Sequence, residues 1–457
     1  MKYQFKTALK ITMTMALMIA VGLSGCKKNE PAAPTHSVGV VGKTTVLASI
    51  PDDHKPTSAD SAADGKPVFN VIFNENGSGV AYIARIGNSY HVVYNGKVGL
   101  PTDGIDIISI SADGKRIAYS AQIDGRWGMF IDGQKGVDSD EVGDPVFSPD
   151  GKHIAYWGKL ADKWFMCVDG VKVERERSFV GDPVFNADSS RIMYMEQVDD
   201  TGAARFVIRD LALKELYSMP GHIWNFILSP DKSRIAAVLG VDGKMRVAEF
   251  DVTKPSDVME GPLFDGITDV VFSRNSSGVA YIANLDGKRF VVLNGKQEEL
   301  PKGELASSIL VRPDNKAVGM LMADSDGAYL HQAFAGGSES GVRYGEAGFL
   351  AYSDSSGIYS YAARKGDGWF IISNGKEGES FDRVVTPVFS PDGTKLVYRV
   401  RHEGKRFVVV ADADGDIIKR HPEYEMVFAP VFTSDGKRVA YGVKEGRDLV
   451  WKVEALN

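Results

Sequence analysis

Hydrophobic and polar positions along most of the chain alternate with the two-residue period of half-buried strands, in short runs broken by turn residues. The clearest unit is Val146-Phe147-Ser148-Pro149-Asp150-Gly151-Lys152-His153-Ile154-Ala155-Tyr156. Equivalent places fall at Phe73, Ile110, Phe147, Phe185, Leu228, Phe272, Val311, Ala351, Phe389 and Phe432, at intervals of 37 to 44 residues, the weakest copies lying around Val311 and Ala351. Each copy reads as a short strand, a turn, a second strand ending near Ala-Tyr, a polar turn with Asp-Gly or Glu-Gly, and a third apolar strand; a fourth strand fills the gap before the next copy.

The turn residues give this reading a mechanism. Ser-Pro-Asp-Gly places Pro where φ is already near −65°, Asp where local hydrogen bonding helps, and Gly where φ must be positive. Asn95-Gly96, Asp132-Gly133, Asp169-Gly170, Asn294-Gly295 and Asn374-Gly375 follow third strands and favour two-residue type I′ hairpins into the fourth. Four short antiparallel strands in about 40 residues describe a propeller blade. The expected fold is therefore all-β, a β-propeller of about ten four-stranded repeats. A coarser period of 199 residues relates Phe73 to Phe272, both followed by Gly-Val-Ala-Tyr-Ile-Ala. That duplication leaves open one large ring or two five-bladed propellers, with halves at 66–262 and 263–457. The last unit stops directly after its third strand, so its outer strand comes from elsewhere: the β-like stretch Val38 to Ile50, or Lys66 to Val71.

The pattern Phe-Ser-Pro-Asp-Gly-Lys-x-Ile-Ala-Tyr resembles the WD-repeat-like propeller repeat of TolB-type periplasmic proteins, over residues 66 to 457. The resemblance implies a fold and, more loosely, a protein-interaction platform, since similar repeats also serve as the propeller domains of peptidases. The chain departs from both relatives: it carries no α/β domain of the TolB kind and no Gly-x-Ser-x-Gly elbow of a hydrolase.

The N-terminus changes the picture. Lys2, Lys6 and Lys10 precede an apolar run from Ile11 to Leu23, too short to span a bilayer, which ends in Leu23-Ser24-Gly25-Cys26. This tetrapeptide resembles the lipobox of bacterial lipoproteins, which implies a signal peptide over 1–25, cleavage before Cys26 and lipidation of its thiol. The absence of Asp after the cysteine resembles sorting to the outer membrane, facing the periplasm or the cell surface. Residues 26–65, rich in Pro, Ala, Ser, Thr and Asp, read as a tether.

A net charge of −7 without a basic stripe argues against nucleic acid. Cys167 lies inside the apolar run Trp164-Phe165-Met166-Cys167-Val168 and reads as a buried strand residue. Two constellations are candidates for binding. Tyr90, Trp127, Trp164, Arg289, Trp369 and Arg406 align in one column at the start of the third strand; aromatics and Arg suit hot spots, while strand aromatics in propellers also pack between blades. Asp144, Asp182 and Asp269 precede innermost strands and are expected near the channel mouth, as ligands for a cation or basic peptide or as turn caps. Asp412-Ala413-Asp414-Gly415-Asp416 and Asp324-Ser325-Asp326-Gly327 lack the full ligand spacing of a calcium loop. The eight His residues are scattered, His153 and His222 within repeats, and no cofactor motif occurs. The expectation is a non-enzymatic scaffold for envelope protein or peptide partners, with no metal and no cofactor; a glycan-binding or glycan-cleaving propeller, its carboxylates paired across blades, is the alternative.

Overall fold

The computed structural model describes residues 44–56, 58–59, 68–69, 71–74, 76–200, 203–219, 221–433 and 435–456. Cys26 and the signal segment lie outside the described residues. Ten antiparallel sheets of four strands form one ring of ten blades. The first strands of neighbouring blades converge on one another, which places them innermost, and fourth strands such as Lys254–Glu260 are exposed at the rim. Ring and duplication are compatible: the blade beginning at Gly266 packs Ile267, Val279 and Tyr281 against Ala236, Val238 and Val247 of the blade before it, so the ring runs unbroken past residue 262.

The Ala-Tyr dipeptide explains how blades stack. Successive side chains of a strand point to opposite faces, so Ala155 faces the following blade beside Tyr194, while Tyr156 faces the preceding one beside Ala118 and Met129. Tyr82, Tyr119, Tyr281, Tyr361, Tyr398 and Tyr441 repeat this arrangement at other interfaces. A small residue on one face and a large one on the other lets wedge-shaped sheets interlock. The Asn/Asp-Gly hairpins have the type I′ signature, as at Asn95 (φ 49°) and Gly96 (φ 78°). Their Asn or Asp oxygen also accepts the N–H that begins the second strand of the same blade, from Val80 at 2.8 Å and Ile154 at 3.0 Å.

The Ser-Pro-Asp-Gly turns are locked internally. Ser148 Oγ donates to Asp150 (2.6 Å) and accepts the His153 N–H (3.0 Å), and with the Lys152 N–H this holds the Asp150 carboxyl down at about 2. The weak eighth copy is shifted by one residue from the sequence alignment. Tyr352, not Ala351, pairs in the position of Phe147, and Ser353, fully buried, takes the place of Ser148.

Closure uses the N-terminus. Thr45–Ser49 pairs antiparallel with Asp448–Ala455 and supplies the missing outer strand of blade 10. The chain then crosses to blade 1, where Lys55–Pro56 pairs with Ala84 and Arg85 and shares the inner-strand position with Val71–Phe73. Of the two stretches the sequence offered for that strand, the one within Val38 to Ile50 supplies it, so the ring takes in part of the segment otherwise read as tether. Ala48, Ile50 and Leu449 bury against Tyr82, and Phe73 lies against Phe428 (4.9 Å) and Trp451 (5.8 Å). Gly442 makes room there, since a Cβ would sit 2.7 Å from the Phe73 ring.

Candidate functional site

All six residues of the third-strand column occupy one structural position, opposite Arg85, Gln122, Lys159, Asn284, Arg364 and Arg401 of their second strands. The backbone there holds the connector that leads to the next blade. Tyr90 exchanges two 2.9 Å hydrogen bonds with Thr102, Trp369 does the same with Phe381 (2.8 and 2.7 Å), and Arg406 with Tyr424. The side chains follow suit. Trp369 is 5% exposed, in the core between blades 8 and 9 with the Arg383 guanidinium 4.2 Å over its ring. Trp164 is half-buried against the core between blades 3 and 4, near Trp157 and under Lys159. Arg289 and Arg406 donate to the connector carbonyls of Gly303 (2.8 Å) and Glu425 (3.0 Å). Tyr90 and Trp127 are half-buried. The geometry thus uses most of the column to fasten blade to blade.

Sequence reasoning missed the partners in these fastenings, Thr102, Phe381 and Tyr424, and their equivalents Phe264 and Tyr344 opposite Met245 and Ala328, although they carry a signal. Each stands two positions before its blade's first strand, and Thr102 and Phe264 stand in the same x-Asp-Gly context.

The inner wall is different. The innermost strand of most blades is broken by a bulge opposite the buried end of the second strand, at Ile105 to Ile108, Val142 to Val146, Val180 to Val184 and Thr268 to Val271 among others. A bulge releases side chains from the sheet's alternation. Asp144, Asp182 and Asp269 lie in these breaks, within the strand line rather than ahead of it, and Asp269 has φ 52°. Asp106, which the sequence did not single out, occupies the same break in blade 2 and is exposed. Blade 5 breaks at Trp224, between Ile223 and Asn225. Trp224 is 52% exposed and stacks on His222 with ring centroids 4.5 Å apart and planes at 15°. Gly240 lies beneath both: a Cβ there would stand 3.1 Å from the indole nitrogen and 3.3 Å from His222. The indole is held by its support rather than loose, and it sits between the blades that carry Asp182 and Asp269.

Among the described residues no three His, Cys, Asp or Glu side chains group closely enough to hold a metal ion. The two calcium-like stretches are turns: Asp412 accepts the N–H groups of Asp414 (3.1 Å) and Asp416 (2.9 Å), and Asp324 accepts that of Asp326 (3.0 Å) and pairs with Arg343 (2.7 Å). Cys167 is 1% exposed in the core between blades 2 and 3, and burial pushes its thiol up, which makes it a poor nucleophile. His153 bonds Asp169 across its own blade at 2.6 Å.

No family model matches the chain, and no curated protein matches it. Solved structures do. A crystal structure of a eukaryotic initiation factor is 14% identical and covers 76% of this chain and 96% of its own, with a TM-score of 0.46. TolB from Acinetobacter baumannii is 16% identical over 61% of this chain and 78% of its own, with a TM-score of 0.29. An oligogalacturonate lyase in complex with manganese is 15% identical over 68% of this chain and 98% of its own, with a TM-score of 0.33. The neighbours thus include TolB and both enzymes and non-enzymes, and the likeness is one of propeller fold.

Proposed function

We propose that the chain is a lipid-anchored scaffold of the cell envelope, TolB-like in its repeats only, which engages a protein or peptide partner on the inner wall of the ring and catalyses no reaction. The observation that carries this reading is Trp224, left 52% exposed on a rigid support where the other tryptophans of the blades are half-buried or buried. Such anchors dominate binding energy. The carboxylates of Asp106, Asp182 and Asp269 on the same wall favour a partner segment bearing Lys or Arg, whose cations also suit the indole face. Lipid on Cys26 holds the ring at the membrane, at the outer membrane by the residue that follows the cysteine.

A pull-down from detergent-solubilised envelope tests the reading. Trp224→Ala should lose partners that the wild type retains at unchanged melting temperature, whereas Trp127→Ala should keep them. Identical partners with Trp224→Ala would sink the site, and none above background with the wild type would sink the scaffold. An exposed indole also suits stacking on a sugar face. A glycan-array signal abolished by Trp224→Ala would make the ligand a glycan instead. For the anchor, Cys26→Ala should move the protein into the soluble fraction, and its retention in membranes would contradict lipidation.

A further inference from the structure

A groove of about 430 Å³ opens between blades 6 and 7, away from the inner wall. Val291, Leu293, Val318 and Ala333 form its floor, at the edge of the core shared by the two blades. Its size is that of a small-molecule site. Two departures from the repeat meet at this groove. In nine blades the first residue of the turn is a small buried polar group: Asn74, Ser111, Ser148, Asn186, Ser229, Ser273, Ser353, Ser390 and Thr433. In blade 7 it is Arg312, whose guanidinium forks onto Asp314 (2.9 and 2.8 Å) at the groove.

The second departure is Phe334. It pairs with Ala317 in the position that Asp210, Asp251 and Asp412 hold in blades 4, 5 and 9. Those three carboxylates cap their hairpins by accepting N–H groups from Lys214 (2.9 Å), Thr253 (2.6 Å) and Asp414 (3.1 Å). Blade 7 gives up the cap and exposes a phenyl ring, 37% accessible, on the groove wall. A repeat that abandons two stabilising residues around one cavity follows the usual logic of a functional site.

The rim decides the ligand. Lys296 of blade 6 and Lys316 of blade 7 are exposed and form no ion pair among the described residues, and with Arg312 they outnumber Glu298 and Asp314 by three charges to two. We infer that the groove binds a small amphipathic carboxylate, its apolar body against Phe334, Leu293 and Val318 and its anionic group between the two lysines.

Calorimetric titration of the protein with 4-phenylbutyrate, and with its neutral amide as control, tests this. The acid should bind saturably and at least about tenfold more tightly than the amide. The Lys296→Glu/Lys316→Glu variant should erase that preference. Phe334→Asp restores the repeat's cap and should lose binding while the melting temperature holds or rises, which separates a ligand site from a mere packing fault. No saturable binding at millimolar acid, equal binding of the amide, or binding unchanged in both variants would overturn the inference.

Discussion

Blades 1 and 6 share the same five residues in their second strands, Val80 to Ala84 and Val279 to Ala283. They sit in unlike junctions. Blade 6 receives the chain directly from blade 5, and its innermost strand is the single continuous segment Gly266–Phe272, bulged at Thr268 to Val271. Blade 1 stands at the seam of the ring, where the chain reaches it from the N-terminal strand of blade 10, Thr45–Ser49, and not from that blade's own repeat, and its inner-strand position is shared by Lys55–Pro56 and Val71–Phe73. The tyrosines show the difference. Tyr281 packs on Val238 and Val247 of blade 5, whereas Tyr82 packs on Ala48, Ile50 and Leu449 and bonds His54 at 3.1 Å. Burial pushes both phenols up to about 12. One repeat therefore builds both blades, and residues outside the repeat make the seam.

The largest test of that contrast is deletion of residues 44–56. That deletion should leave an unpaired edge on blade 10, with early unfolding in urea and self-association in sedimentation, because open edges recruit other chains. A monomer with unchanged unfolding would erase the distinction between seam and ordinary junction. Next in size, Phe73→Ala should cost about 3 kcal/mol in urea unfolding. Phe272→Ala should cost less, since its ring, half-buried as that of Phe73 is, lies beneath Arg234 at 5.6 Å instead of being wedged between Phe428 and Trp451. Equal costs would mean that the seam is no more dependent on its wedge.

A pH series sharpens the comparison further. Glu454, in blade 10, is opposed by burial but held below its ordinary range by His421 and by the Tyr441 hydroxyl at 2.5 Å. Its stabilisation is present above the unfolded carboxyl value, about 4.3, and is lost as pH falls through the folded value. Glu249, beside the junction of blades 5 and 6, is shifted the other way, because burial outweighs Arg234 at 2.5 Å. Its raised folded value means that stability is lost as pH rises from the unfolded value through the folded one. Hydrogen exchange at pH 3 against pH 7 should thus show blade 10 loosening in acid and blade 5 not, with Glu454→Gln flattening the difference. The smallest effect belongs to the phenols: Tyr82→Phe should cost about 1 kcal/mol through its bond to His54, with Tyr281→Phe as the reference.

Much of this fold is legible in the chain. Turn chemistry and two-residue alternation locate the blades, and Ala-Tyr carries their stacking. Alternation falters at the weak eighth copy, where Ser353-Asp354-Ser355-Ser356-Gly357 is a degenerate turn and the alignment slips from Tyr352 to Ala351. The wall was harder to read for a related reason. Bulges with positive φ at Asp269, Phe349 and Thr386 interrupt the period that sequence reasoning relies on, so Asp106 and Trp224 stood hidden in strands. The aromatic column was aligned correctly, but alignment gives position and not exposure. Trp369 and Trp224 are both strand tryptophans, at 5% and 52% exposure, and the bulge at Trp224 accompanies the difference.

The closed ring itself is tested most directly by a cross-link at the seam. Val46 and Val450 are partners in the antiparallel pairing of the N-terminal strand with blade 10. A Val46→Cys/Val450→Cys variant, oxidised and run on a non-reducing gel, should give an intrachain disulfide in monomeric protein, with a mobility shift abolished by reductant. Disulfides that link two chains, or no disulfide in folded protein, would contradict a ring sealed by its own N-terminus.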